Sequence, residues 1–138
     1  MIETKEKGTG TRRKTLLVVD DQATIRNILV QVLKLEGYQV RSAIDGVDAL
    51  QVASEVPGKI DVLLTDLSMP RMGGEELIQR LTGLRPETRV ICLSAGFTKV
   101  SLAEDILFLP KPFSLKTLVS MVKGVLDGSL SGRQSMTG

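Results

Sequence analysis

Five polar residues stand where short apolar runs end. Asp20 and Asp21 follow Leu16-Leu17-Val18-Val19, Asp66 follows Ile60 to Thr65, Ser94 follows Val90 to Leu93, and Lys111 comes just after Ile106 to Leu109. Three carboxylates in one pocket repel, and at least one stays protonated unless a cation intervenes. Two cations suit such a pocket. Lys111 is one, a compact point charge matched to phosphate or carboxylate. A divalent metal is the other. With only oxygen ligands on offer Mg2+ is favoured, and it typically takes one or two carboxylates, waters and a phosphate oxygen. Ser94 adds a hydroxyl able to contact an oxyanion. This set suits phosphoryl transfer, which needs positioning and charge neutralisation more than proton movement. An aspartate can be the nucleophile, giving an aspartyl phosphate. Taken singly, each residue has a plainer reading. An aspartate after a strand is often a cap or turn residue, Asp21 alone reads as the N-cap of the next helix, and Lys111 alone as a surface lysine.

The elements between these residues alternate. Ile25, Ile28, Leu29, Val32 and Leu33 recur at helical spacing, and Gly37 ends that helix as a cap. Val40 to Ile44 is a weaker strand. Gly46 to Ser54 is a short helix with Val47, Leu50 and Ala53 inward, and Glu75 to Leu84 a longer one with Leu77, Ile78 and Leu81 inward. Ser114 caps a last helix whose inner face is Leu115, Leu118, Val119, Val122 and Val125 or Leu126. Gly124 inside it costs about 1 kcal/mol relative to Ala. Near-continuous apolar strands alternating with helices predict a parallel sheet covered on both faces. Right-handed crossovers then give an α/β three-layer sandwich, a flavodoxin-like fold with five strands in the order 2-1-3-4-5. Sites in such sheets form beyond the carboxyl ends of the strands, so the five polar residues converge on one edge.

Composition removes other functions. The chain has 138 residues, 42% hydrophobic, 25% charged and only 3% aromatic, so one domain with an aliphatic core is expected. There is no histidine, which excludes serine–histidine and cysteine–histidine nucleophile pairs, histidine metal sites and phosphohistidine chemistry within this chain. The single cysteine, Cys92, allows no internal disulfide, and a cytoplasmic protein is the simplest reading. No apolar run reaches the roughly 20 residues of a membrane helix. A net charge of +2 is too small to argue for nucleic acid. Residues 1–14, with five basic and two acidic side chains, read as a flexible basic arm without aromatics to stack on bases. Residues 127–138 are rich in Gly and Ser and read as a flexible tail.

The motifs LLVVDD (16–21), LLTDLSMPRMGG (63–74), LSAG (93–96) and LPKPF (109–113) give the chain, from 15 to 126, a family likeness. It resembles the receiver domain of two-component response regulators. The resemblance implies that Asp66 is the phosphoacceptor. It implies that Asp21 holds Mg2+ directly, that Asp20 does so mainly through water, and that the backbone carbonyl of Ser68 is a further ligand beside Asp66. Ser94 and Lys111 would bind the phosphoryl group, the Lys111–Pro112 peptide would be cis, and Ser94 with Phe108 would form the switch. The donor would be a phosphohistidine on a sensor histidine kinase or a histidine phosphotransfer protein, and the chain's own chemistry would stop at self-phosphorylation and self-dephosphorylation.

The likeness has one departure. Only seventeen positions lead from Ser94 to Lys111, fewer than the family pattern, so a short or irregular fourth helix is expected after Gly96. The 25 residues after Phe113 leave room for one helix and a tail, not for a DNA-binding output domain. A stand-alone regulator and a receiver module of a hybrid sensor kinase are both consistent with this. The alternative function is a Mg2+-dependent aspartyl-phosphate phosphatase. The haloacid-dehalogenase type needs a second aspartate two residues after the nucleophile, where this chain has Ser68.

Overall fold

The computed structural model describes residues 12–95 and 106–130. Five strands, β1 (Thr15–Val19), β2 (Gln39–Ala43), β3 (Val62–Asp66), β4 (Arg89–Ala95) and β5 (Leu107–Lys111), alternate with helices α1 (Ala23–Leu35), α2 (Gly46–Ser54), α3 (Gly74–Leu84) and α4 (Leu115–Leu126). The strands are all parallel and lie in the order β2-β1-β3-β4-β5, the expected 2-1-3-4-5. The fourth-helix segment of the sequence reading, 96–105, lies outside the described residues.

Side chains alternate across the strands and so build two cores. Leu17, Val19, Leu63, Val90 and Cys92 pack against Ala49, Ala53, Leu77, Ile78 and Leu81 of α2 and α3. Leu16, Val18, Leu64, Ile91, Leu93, Leu107 and Leu109 pack against Leu29 and Leu33 of α1 and against Leu118, Met121, Val122 and Val125 of α4. Because β1, β3 and the inner part of β4 are covered on both faces, their sequences read as unbroken apolar runs. The burial of Cys92 pushes its thiol up to about 12, so it stays protonated and inert at neutral pH.

Three helical faces differ from expectation. Val47, Ile28 and Leu115 are exposed, and Met121 takes an inward place on α4. Val47 sits in the first turn of α2, where Ala49 and Ala53 supply the buried stripe. Ile28 and Leu115 instead line one cavity of about 520 Å³, with Ile25, Pro112 and Phe113 in its wall. The caps follow the sequence. Gly37, at φ +98°, ends α1 with its N–H on the Lys34 carbonyl, and Ser114 Oγ accepts the Thr117 N–H at 3.0 Å. Gly124 has a packing reason: a Cβ there would lie 2.5 Å from Cδ1 of Leu130.

The described ends are fastened to the domain. Arg12 donates to Asp61 at 2.7 Å, and Arg13 donates to the carbonyls of Gly37 and Tyr38. Leu130 N–H bonds the Gly124 carbonyl at 3.0 Å. Attachment therefore reaches back to Arg12 and forward to Leu130. Residues 1–11 and 131–138 lie outside the described residues. Among the described residues, no helix is long and apolar enough to cross a membrane.

Candidate functional site

The carboxyl ends of β1, β3 and β5 bring four charges together. One carboxylate oxygen from each of Asp20, Asp21 and Asp66 lies within 4.8 Å of the others. Asp20 is wholly buried, Asp66 is buried, and Asp21 is exposed. Lys111 Nζ reaches in from the end of β5, 3.4 Å from Asp20 Oδ2 and 3.4 Å from Asp66 Oδ2. The peptide that follows it, Lys111–Pro112, is cis, as the resemblance implied.

Local bonds aim these side chains. Asp20 Oδ1 accepts the Gln22 N–H at 2.9 Å, and Arg26 holds the Asp20 carbonyl at 2.8 Å. Asp66 Oδ1 accepts the Ser68 N–H at 3.3 Å, and Thr65 Oγ1 donates to the Asp66 carbonyl at 2.8 Å. The N-cap residue of α1 is Gln22, so Asp21 is not a cap and its carboxylate belongs with the acidic cluster. Ser94 is buried near the end of β4, in register with Pro110 and one residue before the position paired with Lys111. Phe108 is paired in register with Cys92, and its side chain is 37% exposed.

The electrostatics follow from this crowding. Burial raises the Asp20 carboxyl above its ordinary value, and the Asp66 charge adds to that. The Gln22 N–H and the Lys111 ammonium oppose it without cancelling it. Oxygen donors with one desolvated acid among them form a pocket short of positive charge. The donor set could hold a hard divalent cation.

A second group was not singled out in the sequence. Arg71, five positions beyond Asp66, has φ 65°, a left-handed conformation that costs a non-glycine residue about 1–3 kcal/mol. Its guanidinium forks onto Asp45, Nε to Oδ2 at 2.7 Å and Nη2 to Oδ1 at 3.0 Å. That bond holds the Asp45 carboxyl below its ordinary value. Asp45 also caps α2 through the Asp48 N–H at 2.9 Å. The legible signal was the cap, an aspartate three residues before Asp48 at the start of α2. The partner 26 residues away carried none.

Glycines seat the same loop. A Cβ on Gly74 would collide with the Asp66 carbonyl oxygen and lie 2.9 Å from the Leu67 Cα. A Cβ on Gly46 would lie 2.7 Å from Met72 Cγ. The β3–α3 loop thus packs directly on the starts of α2 and α3.

Comparison with known proteins agrees with this geometry. The profile of the response regulator receiver domain matches residues 16–123. Sensor kinase CckA of Brucella abortus is 36% identical over 119 residues, covering 82% of this chain and 12% of that protein. Response regulator receiver protein CpdR of the same organism is 34% identical over 119 residues, covering 82% of this chain and 97% of that protein. The crystal structure of TrrA from Thermotoga maritima in complex with Mg2+-BeF superposes with a TM-score of 0.70 at 30% identity, covering 82% of this chain and 99% of that one. Several further relatives are longer proteins, of which the chain spans half or less. With the motif order, the sheet order and the acidic pocket all in agreement, the chain belongs to the response regulator receiver domains of two-component systems.

Proposed function

We propose that Asp66 receives a phosphoryl group from a phosphohistidine on a partner kinase or phosphotransfer protein. The observation that carries this reading is the convergence of Asp20, Asp21 and Asp66 with Lys111 Nζ at the sheet edge. An oxygen of Asp66 attacks phosphorus, the P–O bond forms as the P–N bond breaks, and the histidine leaves as neutral imidazole after taking up a proton. The absence of histidine in this chain supports a donor on another domain. The chain's own chemistry is limited to gaining and losing that group.

Asp20, Asp21, Asp66 and the backbone carbonyl of Ser68 would hold Mg2+. When bound, the ion would neutralise charge on the transferring phosphoryl oxygens. An all-oxygen donor set with a buried carboxyl supports this choice, as does the Mg2+-BeF complex of a relative. Lys111 pairs with a phosphoryl oxygen, and the Ser94 hydroxyl approaches another. Phe108, partly exposed two positions before the residue in register with Ser94, answers that movement by turning inward. The phosphoryl group supplies the differential affinity that such a shift requires.

The test is phosphoryl transfer from a histidine-phosphorylated kinase core or phosphotransfer protein, with acetyl phosphate as a small donor. The expected result is one base-labile phosphate per chain, dependent on Mg2+. A phosphate that forms equally well in excess chelator, or that survives base, would contradict the reading.

A further inference from the structure

The Arg71–Asp45 pair fixes the loop that leads away from Asp66. Arg71 keeps a left-handed backbone, and among the described residues it is the one non-glycine with positive φ. A glycine would hold that conformation without strain, so the arginine needs a reason in its side chain. The reason visible in the structure is the two-pronged bond to Asp45, whose side chain is buried. Asp45 is fixed in turn by capping α2. Next to it, the Gly46 N–H donates to the Met72 carbonyl at 3.3 Å, so the loop is tied to α2 on both sides of the Arg71–Met72 peptide. Nearer Asp66, the Gly74 N–H bonds the Leu67 carbonyl at 3.0 Å. Between these ties lies Ser68, whose N–H reaches Asp66 and whose carbonyl is the ligand assigned above.

We propose that Arg71 is a positioning residue for the phosphoacceptor site, acting through Asp45 to hold the Leu67–Gly73 loop in the geometry that binds metal and accepts phosphate. The proposal rests on the Mg2+-dependent phosphoacceptor reading. Arg71 is itself largely exposed, so the pair adds little to global stability. Its effect belongs on the loop, as for groups that orient metal ligands without touching the metal. Lysine offers a single charged nitrogen in place of the planar fork and would restore the role only in part.

The test compares Arg71→Ala, Arg71→Lys, Asp45→Asn and the double variant Arg71→Ala/Asp45→Asn in the full chain. Asparagine retains an N-cap for α2, which separates capping from the ion pair. Mg2+ affinity is read by calorimetry, the phosphorylation rate with acetyl phosphate at saturating Mg2+, and the thermal midpoint alongside. Arg71→Ala and Asp45→Asn should each weaken Mg2+ binding about 10-fold, the lower end for residues that orient metal ligands. The double variant should be no worse than either single one, because the two act as a unit. Arg12→Ala breaks an ion pair of the same 2.7 Å length at the opposite end of the sheet and should leave Mg2+ affinity unchanged. Mg2+ affinity and rate that stay at the wild-type level in Arg71→Ala would overturn the proposal alone. So would a loss of equal size in Arg12→Ala. A wild-type chain that binds no Mg2+ would overturn the phosphoacceptor reading and this proposal with it.

Discussion

Lys111 and Asp20 are 91 positions apart in the chain, yet Lys111 Nζ lies 3.4 Å from Asp20 Oδ2. The first and last strands of the fold are needed to make this one contact. The lysine is mostly buried and the aspartate wholly so, and the same ammonium is 3.4 Å from Asp66. A single cation is shared between two acids, with a third acid close by. The pocket is therefore under-neutralised, and that property generates the behaviour expected of it.

Lys111→Ala should move two properties in opposite directions. Removing a positive charge next to the carboxylates should tighten Mg2+ binding several-fold, on the order of 1 kcal/mol at the effective dielectric of a protein surface. Phosphoryl acceptance should slow, because the partner for a transferring oxygen is gone. Calorimetry and a phosphorylation time course would check both. Weaker Mg2+ binding would mean that the lysine organises the metal site instead of competing with it.

Asp20→Asn should stabilise the metal-free protein at pH 7 by roughly 1 kcal/mol, a few degrees in thermal midpoint. The folded carboxyl titrates above its ordinary 3.8, so folding favours the protonated form. The penalty is absent below 3.8, grows as pH rises through the folded value, and is full above it. The difference between variant and wild type should accordingly vanish in acid. Added Mg2+ should narrow or reverse the order at pH 7, stabilising the wild type more than the variant. Thermal melts at two pH values, with and without Mg2+, would test this.

Two glycines of α3 should respond with opposite signs. Gly74→Ala places a methyl group against the backbone of Asp66 and Leu67, which cannot rotate away, and should cost about 1–3 kcal/mol and impair phosphorylation. Gly83→Ala meets nothing within 4 Å and should stabilise by about 0.5–1 kcal/mol with phosphorylation unchanged. Chemical denaturation of both variants checks the contrast.

Arg12→Ala should lose stability at neutral pH and converge with the wild type in acid. Burial pushes the Asp61 carboxyl up, but bonds from Arg12 and the Thr15 N–H bring it below its ordinary 3.8. A depressed folded value contributes stability above 3.8 that is lost as pH falls through it. Because Arg12 is half exposed, the neutral-pH difference should stay below about 1 kcal/mol. Denaturation curves from pH 7 down into acid would measure it; a difference that stays constant across the whole range would assign the effect to packing instead.

The sequence carried the fold because its strands are buried on both faces. Leu16 to Val19 and Val62 to Leu64 cannot alternate with polar residues when helices cover both sides of the sheet. The same logic found Asp20, Asp66 and Lys111, since a charge at the end of such a run must sit at the sheet edge. Helix faces were less legible. Val47 and Leu115 keep helical spacing but are exposed, because Gly46 and Ala49 on α2 and Leu118, Met121 and Val122 on α4 take the buried stripe. Arg71 and Asp45 were invisible for a different reason. Their pairing depends on two loops meeting across 26 positions, and no periodicity records that. Arg12 reads as part of a loose arm because a basic run does not disclose its bond to Asp61.

The most direct test of the account is to find which residue carries the phosphate. After incubation with acetyl phosphate and Mg2+, borohydride should reduce an aspartyl phosphate to homoserine, and peptide mass spectrometry would locate the change. The account predicts conversion at Asp66 alone, and none in Asp66→Asn. Conversion at Asp20 or Asp21, or an undiminished yield in Asp66→Asn, would contradict it.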